Sequence, residues 1–508
     1  MLPAHLLKTL PRLLPEQEVL QPPVPTVLGS VDYRTWRERL ERIDEILRIS
    51  RAEELFVRLV LARRQREATA AAAAKGEAKM QLSEGEQVRL QRRASVALRV
   101  TVARRITGEG FRPFAARLAD SGLLQWFCRL SRLDPIRIPG KSDLHRFQEL
   151  AREADLRQVV QHVLDAAAKK DSPLELEQRL DLATQFLDST CVKLNLHYPT
   201  DWVLLRDATR TLMKATMLIR KRGLKVRMKD PEVFLRRMNQ LAMTMSRQGR
   251  RGGQKKARKK TLRAMKRQVK IAAEHARRHR DLLAKEWAKT DLSQREAQNI
   301  IARIDTIRER LPQAIRQAHE RIIGGRQVLN EEKILSLYEG HAAVYVRGKA
   351  GADVEFGSQL LVAEARSGVV TDWELVCGNP EHDTALLRRS LERDGAKRLK
   401  TVVADRGFDS KAMREELKGR RTRNAIAPRD PAVMRARRRE ARFCDLQQRR
   451  GQTEARIAII KNDFVGAPLL SKGHENQARQ VAWSVLAHNL WLLAGLPRKQ
   501  KSEFCKAA

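Results

Sequence analysis

The sequence runs to 508 residues, with 101 Lys+Arg against 61 Asp+Glu, a formal net charge of +40, and 42% apolar residues. That length suggests roughly three domains, and so positive a field favours a polyanionic partner, nucleic acid first. The 5 cysteines (Cys128, Cys191, Cys377, Cys444, Cys505) include no C-x-x-C pair, which argues against a disulfide framework and a thiolate zinc site.

The opening MLPAHLLKTLPRLLPEQEVL breaks its apolar run with prolines and a lysine and offers no small-residue cleavage site, so no signal peptide is expected. Residues 1–75 form a helical extension: apolar residues at helical spacing over 31–67 predict one or two helices, brought to an end by the run Ala68–Ala74 and Gly76. Residues 76–175 make a second helical unit. Helices are expected over Glu84–Arg105, Phe111–Leu118, Leu123–Leu130 and Ser142–Glu153, the last capped by Ser142. The short helices around Gly122 and Pro139-Gly140, ending in one that carries His145, Arg146 and Arg152, fit a DNA-reading helix-turn-helix and an ordinary bundle equally.

Near residue 180 the pattern changes. Ala183–His197 has β-branched residues, partial alternation and one acid, and predicts a strand. Pro199-Thr200-Asp201 follows as a turn, with Asp201 as N-cap of the next helix and His197 unassigned. Helical pattern then runs from about Val203 to Ile323, its last helix starting after Asp291 and stopping at Gly324-Gly325. Within it, Arg247–Lys285 carries 16 Lys/Arg against 2 acids, with Gly249, Gly252 and Gly253 marking a break.

Strand signals return in ILSLYE, AAVYVRG, VEFGSQLLVAEA and VVTDWELVCG, where Lys349 belongs to a hairpin turn. Asp383 caps a helix to Asp394, then come the strand Leu399–Ala404 and the helix Ser410–Leu417. The basic stretch Lys418–Arg450, 12 Lys/Arg against 3 acids, leads into helices at Thr453–Asn462 and Glu475–Leu496. The apolar end of that last helix, Ala482–Leu496, holds His488 and Asn489 and is too short to span a bilayer. A cytoplasmic protein with no membrane and no small-molecule substrate is expected. The order of elements predicts an α/β core over 176–202 and 326–498, split by a basic helical insertion over 203–325, with a tail at 499–508.

Three acids fall where such a core exposes side chains. Asp188 is mid-strand in FLDST, Asp405 closes an apolar strand in VVADRGF, and Glu454 lies near the start of a helix. Singly they read as an edge aspartate, a turn, and an i,i+4 partner of Arg450. Together they can converge on hard cations, two of which would activate a water or 3′-hydroxyl for phosphodiester transfer. The basic runs, Lys255, Lys256, Arg258, Lys259 and Lys260 above all, suit DNA phosphates and carry no sequence preference.

Four segments, FLDSTCVKLNLHYPTDWVLLRDATRTL, KILSLYEGHAAVYVRGKAGADVEFGSQLLVAE, VVADRGFDS and GQTEARIAIIKNDF, resemble the DDE transposases of bacterial insertion sequences, the ISNCY-like elements in particular. The resemblance covers 110–152 loosely and 182–497 well. It implies an α/β ribonuclease-H-like core, a mixed five-stranded sheet with flanking helices, that cuts element ends and joins the 3′-hydroxyls to target DNA. The aspartate of the family's D-S/T-T motif falls on Asp188 and that of D-R-G on Asp405, while Arg-(3)-Glu-(6)-Lys falls on Arg450, Glu454 and Lys461. Relatives place Tyr three residues before that arginine, where this chain has Gln447. By resemblance, Asp188, Asp405 and Glu454 hold two Mg²⁺ (or Mn²⁺) and serve as catalytic residues, Arg450 and Lys461 meet the DNA end, and a homodimer forms on DNA at the bacterial nucleoid. Glu339 in SLYEGHA is the rival first acid. Asp188 is preferred because DST is centred in a strand and precedes the insertion. The alternatives are a metal-dependent nuclease on the same core and a non-catalytic DNA-binding protein derived from a transposase.

Overall fold

The structure, a computed structural model, describes residues 4–15, 23–24, 26–73, 81–131, 135–248, 254–349, 352–394 and 399–499. Ala74, Gly76, the break at Gly249, Gly252 and Gly253, and the tail beyond 499 lie outside them.

The N-terminal part is helical: α1 (Ala4–Thr9), α2 (Val31–Ile49), α3 (Ala52–Ala73), α4 (Glu84–Thr107), α5 (Phe111–Asp120), α6 (Gly122–Phe127), α7 (Lys141–Gln148) and α8 (Glu153–Ala168). Ser83 and Glu86 form a capping box that starts α4, and Gly108, at φ 67, ends it in the left-handed conformation. Ser142 is no cap. Gly140 precedes α7, and the helix expected to run on to Glu153 stops at Gln148 and restarts as α8. The restart follows from Asp155, whose carboxylate accepts the Arg152 backbone N–H at 2.9 Å and so fixes a fresh helix start there.

After β1 (Thr184–Lys193) the insertion folds as α9 (Asp201–Lys221), α10 (Pro231–Arg247), α11 (Gln254–Glu286) and α12 (Gln294–Ala318). Leu205, Leu212, Met238, Met265, Val269 and Ile304 belong to an apolar core separate from the one that joins the N-terminal helices to the sheet. Asp201 is not the N-cap of α9, which is Thr200. It is buried and accepts Gln317 Nε2 and Arg321 Nη1, both at 2.8 Å, tying the start of α9 to the end of α12. Ser293, in a capping box with Glu296, starts α12, while Asp291 pairs with Arg222. ILSLYE is not a strand either. The Gln317 side chain takes both the N–H and the carbonyl of Ile334, and Ile334 and Leu337 pack into the insertion's core.

The remaining elements are β2 (Ala343–Lys349), β3 (Ala352–Glu364), β4 (Val370–Leu375), α13 (Asp383–Asp394), β5 (Thr401–Val403), α14 (Lys411–Gly419), β6 (Arg423–Asn424), α15 (Pro431–Arg437), α16 (Ala441–Ile459) and α17 (His474–Leu493). The basic stretch before Thr453 is thus largely helical. Phe443, Leu446, Arg449, Thr453 and Ile457 make a buried stripe along α16, while Arg442 is exposed and Arg450 and Arg456 are half-buried.

The sheet has six strands where five were expected, in the order β2–β3–β1–β5–β6 with β4 also on β3. The extra strand exists because β3 is 13 residues long. Its first half pairs with β2 (Val344↔Phe356) and its second with β4 (Leu360↔Leu375), both on the side away from β1. β1 is antiparallel to β3 and parallel to β5. Strand alternation sends Leu187, Leu361, Ala363 and Val402 to α13 and α14, and Phe186 and Val403 to Phe443 and Leu446 of α16.

At Gly357 the β1 and β3 backbones approach so closely that a Cβ would overlap the Val192 carbonyl oxygen and press on Cys191 Sγ at 2.9 Å. Gly357→Ala is therefore expected to cost about 1–3 kcal/mol, read as a lower melting temperature. An unchanged melt would show that the sheet absorbs the methyl group.

Candidate active site

The site begins with a register. Phe186 pairs with Val403 across the parallel β1–β5 ladder, so two residues on, just past the end of that ladder, Asp188 and Asp405 emerge at the same end of the sheet, close enough for the Asp405 charge to act on Asp188. Both are half-buried. Asp188 Oδ1 accepts the Ser189 backbone N–H at 2.7 Å, and Asp405 Oδ1 accepts that of Gly407 at 2.8 Å.

α16 is pinned across this end of the sheet. Glu364 of β3, fully buried, accepts Arg449 Nη1 and Thr453 Oγ1, both at 2.9 Å. Gln447, standing where relatives have Tyr, donates to the carbonyls of Ala404 (3.2 Å) and Ala425 (2.6 Å) beyond β5 and β6. One residue after each anchor of the Arg449–Thr453 pair stand Arg450 and Glu454, and both act on Asp188. Burial pushes the Asp188 carboxyl up; the Ser189 N–H opposes this, the Asp405 charge adds to it, Arg450 opposes and Glu454 adds, leaving it at about 6.

Glu454 is exposed and lies mid-helix rather than near a helix start. The i,i+4 pair with Arg450 is not formed: Arg450 Nε donates to Gln447 Oε1 at 3.2 Å. Lys461 Nζ donates to Thr190 Oγ1 at 3.2 Å, on the same face of β1 as Asp188. Lys255, Lys256, Arg258, Lys259 and Lys260 sit elsewhere, on α11 of the insertion. Arg258 is half-buried there and donates to the carbonyls of Met245 (3.3 Å) and Gln248 (2.6 Å) at the end of α10, whereas Lys255, Lys256 and Lys260 are exposed.

Glu339 is engaged away from the aspartates. It is buried, accepts the Gly473 N–H (3.0 Å) and Gln477 Nε2 (3.1 Å), and so caps the N-terminus of α17. His197 lines a cavity beside it with Tyr198 and Lys472.

A fourth acid escaped the sequence reading. Asp383, taken there as a helix cap, accepts Ser189 Oγ at 2.7 Å. A Cβ on Gly407 would lie 2.6 Å from Asp383 Oδ2 and 3.0 Å from Asp405 Oδ1, so the glycine lets the two carboxylates close on one turn. Burial raises the Asp383 carboxyl, the Ser189 hydroxyl opposes this, and the Asp405 charge adds to it. The available signal was Ser189 itself, which by alternation points to the sheet face opposite Asp188.

The donor chemistry suits a hard divalent cation. The site offers carboxylate oxygens that repel one another, and neither Asp405 nor Glu454 has an ion-pair partner among the described residues. Among the same residues, no three His, Cys, Asp or Glu side chains already stand close enough together to hold a metal ion.

Residues 346–490 match the family described as Transposase DDE domain. No curated protein and no solved structure matches the chain. The matched segment contains β3 to α16, with Asp405 and Glu454, and begins after β1 and Asp188. No helix among the described residues is long and apolar enough to cross a membrane. The domain implies a ribonuclease-H-like fold, which the mixed sheet with flanking helices fits, and this family generally uses divalent metal ions and acts on DNA. Residues 346–490 are therefore similar to a transposase DDE domain.

Proposed function

We propose that the protein is an insertion-sequence transposase, ISNCY-like, that cuts the ends of its element and joins the 3′-hydroxyls to target DNA. The observation that carries this reading is the register that brings Asp188 beside Asp405, with Glu454 of α16 acting on the same carboxylate. Asp188, Asp405 and Glu454 would hold Mg²⁺ or Mn²⁺, which when bound neutralises developing charge and makes a water or 3′-hydroxyl a better nucleophile.

The other residues orient the DNA. Arg450 and Lys461 flank the carboxylates with positive charge and suit the phosphates of an element end. The α11 cations hold duplex backbone further out, each contact adding about −0.9 to the log–log salt slope. Core segments 176–202 and 326–498 carry the reaction, 203–325 and the helical units before the core grip DNA, and two protomers pair two ends in the bacterial cytoplasm.

The deciding assay supplies DNA carrying the element's ends, target DNA and Mg²⁺. Joined strand-transfer product is expected. Hydrolysis with no joined product would make the protein a nuclease instead, and binding without cleavage would reduce it to a DNA-binding relic.

A further inference from the structure

Buried arginines in this protein are generally matched by acids: Arg99 by Asp44 and Glu53, Arg449 by Glu364. The C-terminal end of α4 breaks that pattern. Arg104 and Arg105 are 7% and 5% exposed. Arg104 donates to the Glu109 carbonyl (3.2 Å) and Gln148 Oε1 (3.3 Å), and its guanidinium lies over the Phe111 ring at 4.4 Å. Arg105 has no side-chain hydrogen bond among the described residues, and its Nε is buried without an acceptor.

No carboxylate offsets either charge. Burial lowers Arg104 to about 10, and burial followed by the Arg104 charge lowers Arg105. Since an arginine does not shed its proton in a protein, two cations sit in a low-dielectric wall without a counter-ion, a costly arrangement.

That wall faces a cavity of about 430 Å³ between the end of α4, α7, the segment 462–472 and α17. Arg479, whose Nε is also buried without an acceptor, and Lys472 add to its positive side. Its carboxylates are Glu109, Glu149 and Asp463. Glu109 Oε1 meets Arg117 at 2.9 Å while its Oε2 is buried without a partner, Glu149 lies 3.6 Å from His145, and Asp463 is exposed. Arg479 also meets Glu475 through Nη2 at 3.3 Å. The missing partner is a compact anion with several acceptor oxygens, and guanidinium forks match phosphate in both charge and geometry.

We propose that Arg104 and Arg105, with Arg479 and Lys472, form a phosphate-binding site in this cavity, taking a phosphate of DNA or of a free phosphorylated compound. The chain itself links the cavity to the carboxylates: Lys461 bonds Thr190 beside Asp188, and the next two residues, Asn462 and Asp463, line the cavity. DNA leaving the acids along this segment would reach it.

The test uses the full-length protein, its Arg105→Met and Arg479→Gln variants, and inorganic phosphate exchanged for chloride at fixed ionic strength. Phosphate is expected to raise the wild-type melting temperature. Arg105→Met should melt at or above wild type without phosphate, having lost an unpaired buried charge, and should no longer respond to it. Arg479→Gln should respond severalfold less. An equal phosphate response in all three proteins overturns the site. If Arg105→Met melts lower, Arg479→Gln decides: a full response there also overturns it. Duplex DNA binding then separates the sources. A salt slope smaller by about 1 in Arg479→Gln places a DNA phosphate in the cavity, and an unchanged slope with the phosphate response lost assigns a free phosphorylated compound. The phosphate measurements do not rest on the proposed reaction, so a wild type that fails to join DNA removes that reaction and leaves this site standing.

Discussion

Asp405→Ala is expected to remove cleavage and joining, by about 10³-fold or more, since a carboxylate that stabilises charge at a scissile phosphate contributes several kcal/mol. DNA binding should persist, because the basic surface lies elsewhere, on α11 and the flank of α16. The fold should persist too. Asp405 is half-buried and its one side-chain hydrogen bond among the described residues is the 2.8 Å acceptance of the Gly407 N–H, a loss of about 1 kcal/mol typical of a helix cap. Glu454→Gln should behave in the same way with still less effect on stability, since its side chain is exposed. Glu339→Ala separates the two readings of the first acid. It uncaps α17 and strips Gln477 of an acceptor, so it should lower stability and leave the folded protein able to cleave. Wild-type cleavage by Asp405→Ala, or loss of chemistry without loss of stability in Glu339→Ala, would sink the assignment of the site.

The acids were legible because a strand has a period of two and a charge that closes an apolar strand needs a reason. Singly Asp188 and Asp405 read as structural; their combination, strand context, basic surroundings and likeness to the D-S/T-T and D-R-G motifs singled them out, and the parallel register carries both to one end of the sheet. What holds Glu454 in place was not legible. The anchor is an ion pair between Glu364 and Arg449, 85 residues apart in sequence, and no local pattern selects one arginine from a basic run as the buried one. Gln447 illustrates the same limit. Its departure from the family's Tyr looked like a weakness, yet its amide bonds two carbonyls and steadies Arg450. The strand expected at ILSLYE failed for a related reason. Its apolar residues serve the insertion's core, and Gln317 takes the backbone bonds a neighbouring strand would have made. α8 was hidden because the break before it contains neither Gly nor Pro.

Arg99→Met is expected to be the most destabilising single change in the N-terminal helices, at about 3–5 kcal/mol, the cost of leaving a buried charge without its partner. Arg99 is fully buried on α4 and reaches Asp44 of α2 (2.7 Å), Glu53 of α3 (2.8 Å) and the Phe127 carbonyl (3.1 Å). Ser95 and Arg129 complete the shell around Glu53. Burial alone would raise the Glu53 carboxyl, but Arg99, then Arg129 and Ser95, bring it from 4.5 down to about 2. A folded value below the unfolded one means that this stabilisation, roughly 3 kcal/mol, is present in full above pH 4.5 and lost as pH falls toward 2. His488 adds a second acid-side loss at higher pH. Burial lowers it from 6.5 to about 4, so the unfolded chain takes up a proton first between those values. Denaturant melts across pH should therefore fall in two stages in the wild type. In Arg99→Met the stage near His488 should remain, while the stage below pH 4.5 should flatten or reverse, because Glu53 without Arg99 is a buried carboxylate that gains from protonation. Equal melts at neutral pH, or the same low-pH stage in both proteins, would show that the Arg99 network does not hold these helices together.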